Sequence, residues 1–159
     1  MPKGKTMKGF TLIEILVVVA LIAILTAITF IAINPAKNFA DTRNAQRSSD
    51  VGQILNAVTE YTSESGHTLT TLTGAGTAIP LCSDGALNIG TDTGLVDLAG
   101  LVDEYIVGIP WDPSTGVAVA GIASDTHYTI CTTTTVGVAG RVTVNAPDAE
   151  NSKVIEVKR

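Results

Sequence analysis

The chain of 159 residues contains only two histidines, two cysteines and one tryptophan, which limits the kinds of site it could build. His67 and His127 are 60 positions apart, whereas the histidines of zinc sites recur at short spacings. Neither histidine belongs to a pattern typical of a Ser-His-Asp or Cys-His catalytic set. The sequence therefore predicts ordinary surface or core histidines, no metal centre held by histidine and no catalytic residue.

Ionisable residues are also almost absent from residues 10–33, where Glu14 is the single exception in 24 positions. A helix of that length reaches about 36 Å, enough to cross a hydrocarbon core of about 30 Å. Three lysines lie in residues 1–9, and basic residues before a span favour the cytoplasmic side for that end. The sequence predicts a single membrane span with the rest of the chain outside the cell membrane.

Basic residues are few in the remainder of the chain. Loss of residues 1–9, which carry three lysines and no acid, would change the formal net charge from −5 to −8. An acidic exported domain is a poor partner for the phosphate backbone of nucleic acids. We therefore expect no nucleic-acid partner.

The two cysteines, Cys82 and Cys131, lie in the same half of the chain. In an exported domain this favours a disulfide. A loop of about 50 residues would stabilise the fold by about 4 kcal/mol in the chain-entropy model. The alternative is a pair of buried free thiols.

A helical pattern continues beyond the apolar run, because apolar residues recur at three- and four-residue spacing in residues 36–62. The apolar stripe consists of Phe39, Val51, Ile54, Leu55, Val58 and Tyr61. A solvated polar face is expected from Asp41, Arg43, Asn44, Arg47 and Asp50. Pro35 removes one backbone donor and should kink or locally unwind the helix. We predict one long bent helix over about residues 10–62, with an apolar first half and an amphipathic second half.

The rest of the chain predicts a small head with an antiparallel sheet. A second helix is expected over residues 95–105, ended by Gly108 and Pro110. Runs of β-branched residues predict strands at 116–123, 126–134, 140–145 and 153–158. Ser124-Asp125 is expected to form a hairpin turn. The expected fold is α+β, with residues 36–62 covering one face of the sheet.

The stretch Lys8-Gly9-Phe10-Thr11-Leu12-Ile13-Glu14 resembles the class III signal of type IV pilin and pseudopilin precursors. Ile109-Pro110-Trp111-Asp112-Pro113 resembles the Pro-Asp-Pro loop of many pseudopilins and small pilins. The resemblance is strong over residues 8–33 and holds in general character over 36–62. It divides the chain into a leader (1–9), a membrane and assembly helix (10–35), an amphipathic helix (36–62) and a pilin-like head (63–159).

This resemblance implies a processing site at the start of the apolar helix. A membrane-embedded prepilin peptidase would cut between Gly9 and Phe10 and methylate the new amine of Phe10. Gly9 lacks a Cβ and so allows close approach of the protease, while Lys8 holds the cut site on the cytoplasmic side. Glu14 would then pair with a Phe10 amine during assembly, either on a neighbouring subunit or within its own chain.

The function implied is that of a structural filament subunit with no enzymatic activity. Its partners would be further copies of itself, the prepilin peptidase and the inner-membrane assembly machinery. It would be a single-pass membrane protein before assembly and part of an extracellular pilus afterwards. The alternatives are a pseudopilin of a type II secretion or DNA-uptake system, and a membrane-anchored extracellular domain that does not polymerise.

No cofactor is predicted for the head, although calcium stays an open alternative. Carboxylates are offered by Asp84, Asp92 and Asp97, but without EF-hand-like spacing, so no ligands are assigned. Asp112 is expected to cap its local backbone, and Trp111 to pack under the sheet.

Overall fold

The computed structural model describes residues 9–73, 76–119, 122–133 and 140–159. The chain divides into two compact units, Met1–Phe39 and Ala40–Arg159, and the second is called the head below. Two long helices come first, α1 over Leu12–Ile33 and α2 over Pro35–Ser63. A short helix, α3, covers Leu69–Thr73.

Helix α1 has the length and composition to cross a membrane. It contains 22 residues, and none of them is buried within the chain. The hydroxyls of Thr26 and Thr29 each donate to a carbonyl four residues earlier, at 2.8 Å. Their polar groups are thus satisfied inside the helix, as hydrocarbon surroundings require.

The expected single bent helix is interrupted at Asn34. This residue has φ 44° and ψ 75°, in the left-handed region, and it ends α1. Its Oδ1 accepts a hydrogen bond from the Lys37 N–H at 3.4 Å, which caps the start of α2. Pro35 occupies the first position of α2, where a missing N–H is harmless. The local unwinding expected from Pro35 is therefore confirmed as a break one residue earlier.

Within the described residues, the head contains six short strands in two sheets. The strands are β1 Leu87–Asn88, β2 Val117–Val119, β3 Ile122–Asp125, β4 Thr129–Thr132, β5 Val142–Asn145 and β6 Glu156–Lys158. Antiparallel pairing gives a four-stranded sheet in the order β1-β4-β5-β6, while β2 and β3 form a separate pair. The α+β fold class is confirmed.

The expected strand over residues 116–123 and the turn at Ser124-Asp125 are wrong. That region forms both β2 and β3, with residues 120–121 outside the described residues, and Ser124 and Asp125 lie within β3. The chain reverses later, at His127, whose φ is 58°. The Asp125 carboxylate accepts the His127 N–H at 2.9 Å and so fixes the turn there.

The expected helix over residues 95–105 is also wrong. Only Ala99–Leu101 forms a single 3-10 turn, started by the Asp97 carboxylate accepting the Ala99 N–H at 2.8 Å. Before it, the Val96 N–H donates to the carbonyl of Asn88 in β1 at 2.9 Å, so the chain is extended beside the sheet. The apolar residues are buried, but from an irregular backbone.

One hydrophobic core joins α2 to the sheet, which confirms the amphipathic half as its cover. Contributions from α2 are Val51, Ile54, Leu55, Ala57 and Val58. Contributions from the sheet region are Tyr128, Ile130, Val142, Val144 and Ile155. Phe39 was expected in the same stripe but is 65% exposed and lies before the head.

Cys82 and Cys131 are joined by a disulfide. Cys131 lies in β4, and Cys82 follows a segment that pairs beside that strand, with the Thr132 N–H donating to the Pro80 carbonyl at 2.8 Å. The Cys82 N–H donates back to the Thr132 carbonyl at 2.9 Å. The crosslink therefore fixes the 80–82 segment against the sheet.

Candidate functional site

The residues flanking the expected cleavage bond are exposed. Gly9 and Phe10 both lie on the surface, and the Phe10 side chain is 81% exposed. A Cβ built on Gly9 would meet no atom of the described residues within 4 Å. Packing within the chain therefore gives no reason for glycine at this position. Lys8 lies outside the described residues.

Glu14 takes part in a capping box at the start of α1. Thr11 is the N-cap residue, and its hydroxyl accepts the Glu14 N–H at 3.3 Å. In return the Glu14 carboxylate accepts the Thr11 N–H at 3.4 Å. Two backbone donors that the helix cannot satisfy itself are thus paired. A carboxylate in the first turn also interacts favourably with the positive end of the helix dipole.

This capping role was not anticipated, although the sequence carries its signal. Thr11 and Glu14 are three residues apart, directly before an apolar run, which is the pattern of a capping box. The Glu14 carboxylate contacts the N–H of Thr11, and Phe10 is the next residue toward the N-terminus. In this structure Glu14 is engaged within its own helix.

A second arrangement of charges lies inside the head and is called the Arg47 cluster: Arg43, Asn44, Arg47, Asp112 and Glu150. The side chains of Arg47 and Asp112 are both completely buried. Arg47 donates to the two oxygens of the Asp112 carboxylate at 2.5 and 3.0 Å. This is the paired, planar geometry in which arginine binds carboxylates most strongly.

Every N–H of the Arg47 guanidinium has an acceptor. Besides Asp112, it donates to the Asn44 amide oxygen at 3.0 Å, the Glu150 carboxylate at 3.1 Å and the Ser114 hydroxyl at 2.7 Å. Five donors are thereby satisfied. Arg47 fixes two loops of the head, residues 112–114 and the turn at Glu150, onto α2.

The partners of this cluster have shifted pKa values. Burial alone would raise the pKa of Asp112, but hydrogen bonds from Arg47, Ser114 and Thr115 lower it well below its usual range. The hydrogen bond from Arg43 is the main reason that the pKa of Glu150 falls to about 2. The hydrogen bond to Asp112 raises the pKa of Arg47 above its already high value, so its charge is permanent.

Acidification is expected to destabilise the head. Because the folded-state pKa values of Asp112 and Glu150 are lowered, their contribution is present above pH 4.5 and is lost as the pH falls toward 2. Burial raises the pKa of Asp50, which opposes this trend in part. We expect a lower urea midpoint at pH 3 than at pH 6, and a smaller difference in Asp112→Asn. An equal drop in both proteins would contradict the assignment to Asp112.

The polar face expected on α2 is largely wrong, because Asn44, Arg47 and Asp50 are buried. Asp50 accepts a hydrogen bond from the Tyr128 hydroxyl at 2.8 Å. Asp112 caps its local backbone as expected, accepting the N–H groups of Ser114 at 2.8 Å and Thr115 at 3.1 Å. The ion pair with Arg47 was missed, since nothing local connects positions 65 apart in sequence.

Trp111 was expected under the sheet, but its side chain is 42% exposed. The histidines are half-buried and engaged with neighbours: His67 stacks on Tyr61 with ring centroids 4.3 Å apart, and the His127 ring contacts Asp148 at 2.9 Å. Among the described residues, no three His, Cys, Asp or Glu side chains are grouped to hold a metal ion.

Comparison with known proteins identifies the N-terminal segment. Residues 4–30 match the family model of the prokaryotic N-terminal methylation motif. No match to the chain is found among curated proteins or among solved structures. The matched segment includes Gly9, Phe10 and Glu14 and extends through most of α1. This match confirms the resemblance of the N-terminal segment to the signal of type IV pilin and pseudopilin precursors.

Proposed function

We propose that the chain is a structural subunit of a type IV pilus filament and has no catalytic activity of its own. The observation that carries this proposal is the methylation motif at residues 4–30, which continues into an unburied apolar helix of 22 residues. An apolar helix with no partner in its own chain needs lipid before assembly and other copies of itself afterwards. The compact disulfide-bonded head would form the outer surface of the filament.

Processing begins at Gly9. Prepilin peptidase cuts the bond to Phe10, removes the basic leader and methylates the new amine. The exposed backbone at these two residues is suited to binding in a protease. Mass spectrometry of the mature protein tests this step: the expected mass lacks residues 1–9 and carries one added methyl group. An intact N-terminus, or a cut after the apolar run, would contradict it.

Assembly follows through Glu14. Cleavage places a cation on Phe10, and in the low-dielectric interior of a helical bundle this amine requires an opposite charge. The carboxylate can serve the amine of a neighbouring copy or that of its own chain. A pairing between copies acts as a check of register more than as a source of net stability.

Three variants separate the charge of Glu14 from its capping role. Glu14→Ala removes both, Glu14→Gln keeps a side chain able to complete the capping box, and Thr11→Ala removes the capping hydroxyl while keeping the charge. If the charge drives assembly, we expect normal processing in all three, with at least tenfold fewer filaments for both Glu14 variants. Thr11→Ala should retain most of its filaments.

Filament yield is measured by electron microscopy and by the amount of subunit in the sheared surface fraction. Normal assembly of Glu14→Gln together with failure of Thr11→Ala would assign Glu14 to helix capping alone. Surface filaments that contain the subunit would favour a pilin. Short filaments seen only with a secretion or uptake system would favour a pseudopilin, and a processed monomer in the membrane would favour an anchored domain.

A further inference from the structure

A groove in the head has an apolar lining and an acidic rim. It encloses about 320 Å³ between the segment after β1 and the loop of residues 97–109. Val102, Val107 and Ile109 line it together with Asp97 and Asp103. Val107 is 96% exposed, and within the described part of the chain Asp103 forms no salt bridge. This surface is called the acidic groove.

A second exposed apolar residue precedes β6, which is the edge strand of the sheet opposite to β1. Val154 is 83% exposed, and together with Val107 it is the most exposed large apolar side chain of the described head residues. It follows Lys153, which is exposed and has no salt bridge to any described residue. Val154 would complement the apolar lining of the acidic groove, and the adjacent cation of Lys153 would complement its acidic residues.

The turn that precedes Val154 is held in place by hydrogen bonds and ion pairs. It consists of residues 150–153, in which Asn151 and Ser152 have φ values of 58° and 57° and the Lys153 N–H donates to the Glu150 carbonyl at 3.2 Å. Glu150 is bound by Arg43 at 2.6 Å and by Arg47 at 3.1 Å. Little conformational entropy would be lost when such a turn enters a binding surface.

We infer that the 150–154 turn of one copy docks into the acidic groove of a second copy, with Val154 against the apolar lining and Lys153 facing Asp103. This inference rests on the proposed function, because it defines how neighbouring heads meet in the filament. The chain has a formal net charge of −5, so acidic side chains outnumber the basic ones that could meet the acidic rim. A lysine without an acidic partner is suited to meet it.

The turn and the groove are formed by different residues, so the contact is head-to-tail and need not close into a ring. It would propagate along a filament. A charged and apolar contact between heads would fix their register.

Charge reversal in full-length protein tests the inference. Lys153→Glu and Asp103→Lys are each expected to reduce surface filaments at least fivefold, and the double variant should recover at least half of the wild-type amount. Asp84→Lys is the control, because Asp84 is an exposed acid that does not line the groove. Normal yields from both single variants, or no recovery in the double variant, would overturn the inference.

A cysteine pair gives a direct measure of contact. In Val107→Cys/Val154→Cys filaments, mild oxidation should produce a ladder of crosslinked multimers, while either single variant should stay monomeric. The native cysteines do not interfere, because they are already paired. Filaments without a ladder refute the head contact while leaving the proposed function intact, whereas wild-type protein that is unprocessed or forms no filaments refutes both.

Discussion

Replacement of Arg47 by leucine is expected to lower the free energy of unfolding of the head by about 3–5 kcal/mol, the usual cost of leaving one member of a buried ion pair alone. The Arg47 and Asp112 side chains have no solvent exposure, so water cannot take over the lost contacts. The change also leaves Asn44 and Ser114 without one hydrogen-bond donor each.

The measurement is urea unfolding of detergent-solubilised full-length protein, followed by Trp111 fluorescence. Trp111 is the single tryptophan and precedes Asp112, so it reports on the loop that Arg47 holds. Arg43→Leu is the matched control: its ion pair with Glu150 is about one-third exposed, and its loss should change the midpoint much less. Equal shifts of the urea midpoint in the two leucine variants would show that burial does not determine how much an ion pair contributes to stability.

A double variant tests the physical explanation. Arg47→Leu combined with Asp112→Asn no longer leaves an unpaired buried charge, so it should be more stable than Arg47→Leu alone. This recovery is expected even though the double variant lacks two native side chains. Additive destabilisation would contradict the account of an uncompensated carboxylate.

Gly9→Val is expected to stop processing almost completely, with the precursor accumulating in the membrane. The structure separates this effect from folding, because a Cβ at position 9 would meet nothing within 4 Å in the described part of the chain. A branched side chain should instead clash with a protease that must approach the backbone closely. Gly9→Ala, with one added carbon, is the control and should be processed to a substantial extent.

Intact-mass measurement distinguishes the precursor from protein lacking residues 1–9. The prediction for Gly9→Val is a loss of at least 90% of the mature form, with the urea midpoint of the head unchanged. Normal maturation of this variant would mean that the protease does not require a small residue before the cut. A shifted midpoint would show that Gly9 affects folding after all.

The N-terminal segment could be predicted from the sequence because its information is local. The apolar run, Pro35 and the residues around Gly9 each act within a few positions, and the structure places α1, its break at Asn34 and α2 accordingly. The strands β4, β5 and β6 were also found from their β-branched residues. In each of these cases periodicity and local chemistry indicate the same structure.

The buried charges could not be predicted in this way. Helical periodicity assigns Asn44, Arg47 and Asp50 to solvent because they are polar, and only the tertiary fold brings Asp112 and Glu150 to them. The helix predicted over residues 95–105 is wrong for a related reason. The apolar spacing of this segment fits a helix, but pairing of Val96 with the sheet competes successfully for the same backbone.

The crosslink between Cys82 and Cys131 makes the stability of the head depend on the redox state of its compartment. In the chain-entropy model, a copy whose head stays in the reducing cytoplasm is less stable by about 4 kcal/mol than one that has been translocated and oxidised. Such a copy unfolds more often and is more readily degraded. The disulfide would thereby favour copies whose head has reached an oxidising compartment over copies whose head has not.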